Sequence, residues 1–154
     1  MSMRRSTPTR LVIPAIGVDC GLVGLGIQPD GSLEVPSTGF PAGWFTGAPT
    51  PGELGPAVIA GHVHWQGRWG VFRRLGTLQR GDTVTIDRAD GSVAVFRVTR
   101  TEQVSKDAFP TKQVYGNIQH AGLRLITCGG LDFLTRTYET NVIVFADLIQ
   151  KRSS

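Results

Sequence analysis

What most restricts the fold of this chain is the brevity of its apolar runs. Leu11 to Val18, Leu22 to Ile27, Ala57 to His62, Thr83 to Asp87, Val93 to Val98, Leu123 to Thr127 and Asn141 to Leu148 are β-compatible, and glycine, proline or a polar turn closes each. No apolar-periodic segment reaches the ~10 residues of an ordinary helix. The 20 Gly and 9 Pro among 154 residues suit many turns better than helices. About seven or eight short strands predict an all-β fold, a small closed barrel or a sandwich, with helical turns only.

The punctuation predicts the connections. Pro14 marks an edge position within the first run, because proline cannot donate to a ladder. Cys20 falls in a glycine-bounded loop, and Phe40 to Gly55, rich in Pro and Gly around Trp44 and Phe45, reads as a loop pinned by aromatics. Val71, Leu75 and Leu78 have helical spacing, but Gly76 keeps any helix short. Ala89-Asp90-Gly91-Ser92 joins two strands as a hairpin. Val104 to Gly116 is a long connection with room for one helical turn.

A chain of 154 residues is one domain by length, able to bury roughly 68 to 70% of its unfolded surface. Residues 1–9 are polar and basic and are expected to form a disordered tail ahead of a single β-barrel domain spanning 10–150. The formal charge of +4 is partly terminal and otherwise scattered, without the basic runs interleaved with aromatics that mark a nucleic-acid face. No run approaches the ~18 apolar residues of a membrane span, and the start lacks the apolar stretch of a signal peptide. The sequence therefore reads as a soluble chain, expected to be monomeric, and its Met1 and Met3 fit removal of an upstream anchor.

Chemistry concentrates at one strand end. Cys128 closes Leu123 to Thr127 and is followed by Gly129 and Gly130, backbone that a substrate can approach closely. His62 ends another apolar run, and Arg136 stands eight residues beyond the cysteine. A nucleophile, a proton carrier and a fixed cation are the minimum set for acyl transfer by a cysteine enzyme. A disulfide between Cys20 and Cys128 is the structural alternative. Trp44, Phe45, Trp65 and Trp69 are candidates to wall such a site or simply to pack. His62 and His64, one residue apart on a strand, would share a face and offer two zinc ligands, with His120 or Cys128 as a third. Nothing local fixes that third ligand, and Asp132 and Glu139 are isolated acids rather than a calcium loop, so no metal or cofactor is expected.

Taken in order, Leu11 to Val18, Gly55 to His62, Val71 to Leu75 running into Arg80 to Val84, Leu125 to Gly130 and Tyr138 to Val144 resemble the motifs of the sortases. These are cysteine transpeptidases of Gram-positive cell surfaces, and the actinobacterial forms grouped as class E or F are the most similar. The resemblance covers nearly the whole chain, about Thr9 to Ile149. It implies a closed eight-stranded β-barrel with the site at one end, and a substrate bearing a C-terminal sorting signal of the Leu-Pro-X-Thr-Gly kind. That signal is cleaved after Thr and joined to an amine of a cell-wall precursor or a pilin, at the extracellular face of the membrane.

The same resemblance gives Cys128 as nucleophile, His62 as general acid and base and Arg136 as the cation; Thr127, Gly129, Gly130 and Trp65 are the expected substrate contacts, the glycines through backbone N–H groups and Trp65 as an apolar wall. Two departures stand out. Arg124 replaces the Thr that opens the family's Thr-Leu-X-Thr-Cys pattern, and strand alternation would turn it away from the cleft. The arginine that many relatives carry immediately before the last strand is absent from that place, where Thr140 and Asn141 stand; Arg136 is the only arginine between Cys128 and that strand. A hydrolase using the same residues and a non-catalytic barrel that docks an anionic envelope polymer are the competing readings.

Overall fold

The computed structural model describes residues 1–30, 34–105, 110–128, 131–132, 137–138 and 141–153, with backbone alone at 128, 131–132 and 137–138. The strands are β1 (Pro8–Ile13), β2 (Val18–Leu25), β3 (Ala42–Phe45), β4 (Gly55–His62), β5 (His64–Trp65), β6 (Arg68–Trp69), β7 (Thr83–Arg88), β8 (Val93–Val104), β9 (Ala121–Cys128), β10 (Leu131–Asp132), β11 (Thr137–Tyr138) and β12 (Asn141–Arg152). The one α-helix described, α1, spans Thr111–Tyr115. Eight strands close into a barrel in the order β1-β2-β3-β4-β9-β12-β8-β7, while β5–β6 and β10–β11 form separate two-stranded pairs. The all-β, eight-stranded expectation is met.

The first apolar run is not one edge strand. Pro14 cannot continue the ladder, so Pro14–Ile16 turns as a 3-10 helix and Gly17, at φ 69°, donates its N–H to the Pro14 carbonyl at 3.1 Å. The chain then returns as β2, antiparallel to β1 with Leu11 opposite Cys20, which places Cys20 in a strand rather than in a loop. Within the expected loop, β3 is a regular strand, parallel to β2 and antiparallel to β4. Gly43 makes this possible, since a Cβ there would lie 2.5 Å from Cγ of Leu25. The hairpin at Ala89–Ser92 forms as expected between β7 and β8.

The expected tail also folds onto the barrel. Met3 N–H bonds to the Gly52 carbonyl at 2.8 Å, Ser6 N–H to Thr50 Oγ1 at 3.1 Å, and Ala89 N–H to the Thr7 carbonyl at 2.8 Å. Arg88, whose side chain is 1% exposed, donates to Ser92 Oγ at 3.0 Å and to the Arg4 carbonyl. A buried guanidinium needs acceptors, and the terminal backbone supplies one. Burial lowers its pKa from the ordinary guanidinium value.

Alternation along the strands builds two apolar layers. Leu11, Ile13, Ile59, Phe72, Val84, Ile86, Phe96, Leu123 and Leu125 fill the barrel, and a second cluster of Val58, Val114, Ile126, Ile143 and Phe145 lies beneath α1 outside it. Every residue of β4 is buried because both of its faces are covered.

Candidate active site

The site begins with two parallel strands. β4 and β9 pair over their full length, from Gly55 opposite Ala121 to His62 opposite Cys128. Neighbouring strands lie about 4.7–4.9 Å apart, so the register alone sets the imidazole-bearing and thiol-bearing positions side by side at the same strand end. The Cys128 side chain, Gly129, Gly130 and Arg136 lie outside the described residues.

His62 is 8% exposed and shares the outer face of β4 with Val58 and Ala60. Its Nε2 lies 2.6 Å from the Pro36 carbonyl oxygen. A carbonyl can only accept, so Nε2 carries the proton, and in the neutral ring Nδ1 is the basic nitrogen. The Trp65 ring packs on the imidazole with centroids 4.9 Å apart and a 41° tilt. Trp65 reaches it through a tight hairpin, β5–β6, whose turn residues Gln66 and Gly67 have φ of 50° and 79°. The backbone of the next segment then grips the strand end, Phe72 N–H bonding to the His62 carbonyl at 3.0 Å and Gly70 N–H to the Val63 carbonyl at 2.7 Å. Only glycine fits at position 70, where a Cβ would be 2.1 Å from the His62 oxygen.

His64 does not join His62 as a ligand pair. β4 ends at His62, and His64 turns outward to stack on Trp69 with centroids 4.7 Å apart, Arg73 lying over the same indole at 5.6 Å. His120 pairs with Asp147 at 2.8 Å. Among the described residues no group of three or more His, Cys, Asp or Glu is arranged to hold a metal ion, and no helix is long and apolar enough to cross a membrane.

Thr127, expected to touch substrate, is 2% exposed, and its Oγ1 accepts the Val142 N–H at 2.8 Å, tying β9 to the start of β12. Arg124 was expected to turn away from the cleft, yet it is the register partner of Val58 and so shares the outer face of His62. It is buried there, donating from Nε and Nη2 to the Gln113 carbonyl of α1 at 3.2 and 3.1 Å, with Phe145 beneath it at 5.1 Å. Burial lowers its pKa from the usual guanidinium value. Its work is to hold α1 on the sheet. Cys20 carries a free thiol, so the Cys20–Cys128 disulfide is not formed; burial pushes the Cys20 pKa up, which suppresses its thiolate.

A closed barrel that sets a histidine and a cysteine in register at one strand end is the frame of a cysteine-dependent enzyme. The sequence pattern of the Sortase domain matches residues 11–149, and the chain belongs to the sortase family, a family of cysteine transpeptidases. Its fold is similar to that of sortase E1 from Streptomyces coelicolor, solved with a tripeptide in the active site, at 19% identity and a TM-score of 0.69 over 96% of this chain and 90% of that one. The SrtA sortase of Actinomyces oris superposes with a TM-score of 0.68 at 24% identity over 98% and 85%. Sortase A from Corynebacterium diphtheriae gives 0.70 at 18% identity over 96% of this chain, which spans 62% of that longer chain. No curated protein matches the sequence.

Proposed function

We propose that this sortase cleaves a Leu-Pro-X-Thr-Gly-like sorting signal between Thr and Gly and transfers the acyl group to an amine of a cell-wall precursor or a pilin. The observation that carries the reading is the register pairing of His62 with Cys128. The thiolate of Cys128 attacks the Thr carbonyl, and an imidazolium at His62 gives its proton to the departing glycine amine, leaving a thioester. The incoming amine attacks the thioester and loses a proton to His62, and Cys128 leaves as the thiolate, which restores the thiolate–imidazolium pair. Arg136, with N–H groups of Gly129 or Gly130, stabilises the oxyanion; a guanidinium stays charged and presents a fixed fork of donors.

Trp65, whose ring rests on His62, offers an apolar wall for the peptide. The free thiol of Cys20 favours catalysis over the disulfide-linked binding module. The site works at the extracellular face of the membrane, on a chain acting as a monomer. The test separates transfer from hydrolysis: with a sorting peptide and triglycine, ligated product should dominate over free acid, and release of acid alone at saturating triglycine would make the protein a hydrolase.

A further inference from the structure

The segment from Glu34 to Pro41, between β2 and β3, runs across His62. It is moored at its start, where Glu34 N–H bonds to the Gly26 carbonyl at 2.8 Å and Gly26 N–H bonds to Glu34 Oε1 at 2.7 Å. It is moored again where the Gly39 carbonyl accepts the Val71 N–H at 2.9 Å. Between these points only Pro36 is buried, its carbonyl on His62 Nε2, while Val35, Ser37 and Thr38 are exposed. Gly39, buried as well, lies so close to Trp65 that a Cβ there would be 2.9 Å from the Trp65 Cβ.

The contacts describe a peptide in a cradle. His62, Trp65, Gly70 and Val71 form the floor, and two positions of the segment are seated, a proline and a glycine three residues apart. The segment reads Val35-Pro36-Ser37-Thr38-Gly39, which differs from Leu-Pro-X-Thr-Gly only by Val for Leu. A strap needs a turn-forming proline or a glycine for close approach, but it does not need this order with a threonine before the glycine.

We infer that the cradle against His62 is a seat for sorting-signal peptides, and that the chain's own Val35–Gly39 occupies it as a competitor in cis. The inference rests on the proposed function for the nature of the peptide it displaces. The internal copy is not a substrate, because His62 faces the carbonyl of Pro36, two residues before the threonine whose carbonyl would be attacked. A substrate must therefore displace the segment to reach the imidazole. Part of its binding free energy is used in that exchange, which raises KM without touching the chemical step.

The test uses the full chain and a fluorogenic Leu-Pro-X-Thr-Gly peptide. Replacing Val35, Pro36 and Thr38 together by Ser should lower KM at least threefold with kcat within twofold, and Pro36→Ala alone should lower it by less. Free Leu-Glu-Val-Pro-Ser-Thr-Gly peptide should inhibit the triple variant competitively and at lower concentration than it inhibits the wild type. If the triple variant melts early, Pro36→Ala and the peptide competition decide. An unchanged or raised KM in a variant that melts like the wild type, or no competition by the peptide, would overturn the inference while leaving the transpeptidase reading intact. Failure of every variant and the wild type to form an acyl adduct on Cys128 would instead remove that reading and the inference with it.

Discussion

The two ends of the β4–β9 pair each carry a histidine and use it differently. At the Gly55–Ala121 end the His120 carbonyl accepts the Gly55 N–H at 2.9 Å, and its half-exposed ring pairs with Asp147 of β12. At the other end His62 is buried, and its Nε2–H bonds to a neutral carbonyl from a covering segment. An exposed contact of the first kind contributes at most ~0–1 kcal/mol and is a surface tie. A buried imidazole bonded through Nε2 to one neutral carbonyl keeps Nδ1 as its basic nitrogen, the arrangement that the proposed proton transfer uses. Burial and partner, rather than the residue type, separate the two.

Substitution should break this contrast most at the His62 end. His62→Ala should reduce thioester formation by about 10²–10⁴-fold, whereas His120→Ala should leave the rate within twofold; equal losses at both ends, measured by peptide turnover, would erase the distinction. Arg136→Lys should cut thioester formation at least tenfold, since an ammonium cannot reproduce the guanidinium fork; near-normal turnover would remove Arg136 from the mechanism. Gly70→Ala should destabilise the barrel by about 1–3 kcal/mol in denaturant unfolding, because the new methyl meets the His62 carbonyl. Unchanged stability there would mean that the His62 end of the pair is free to shift. Smallest of all, Cys20→Ser should leave turnover unaltered, and the native Cys20 thiol should alkylate slowly at neutral pH, its pKa being raised by burial.

The strands that end in His62 and Cys128 were legible in the sequence because both faces of β4 and β9 are covered, which makes their residues continuously apolar and their polar ends conspicuous. His62 and Cys128 stand out for that reason. β3 was hidden, since its Gly43 and neighbouring prolines read as loop, and a parallel strand is recruited by distant partners rather than by local pattern. The docking of residues 1–7 was hidden too, because backbone bonds to Gly52, Thr50 and Ala89 leave no mark in side-chain composition. Arg124 and Thr127 look like site residues by position, yet their polar atoms are used within the fold, on the Gln113 carbonyl and the Val142 N–H. No apolar pattern announced that Pro36 would lie on His62.

The most direct test of the central claim, that the paired strand ends form one acyl-transfer centre, is mass spectrometry of the intact protein after brief exposure to a panel of sorting-signal peptides. The account predicts a mass increase equal to the peptide portion through threonine, mapped to Cys128, lost in Cys128→Ala and retained in Cys20→Ser. An adduct on Cys20, or none on Cys128 with any peptide of the panel, would contradict it.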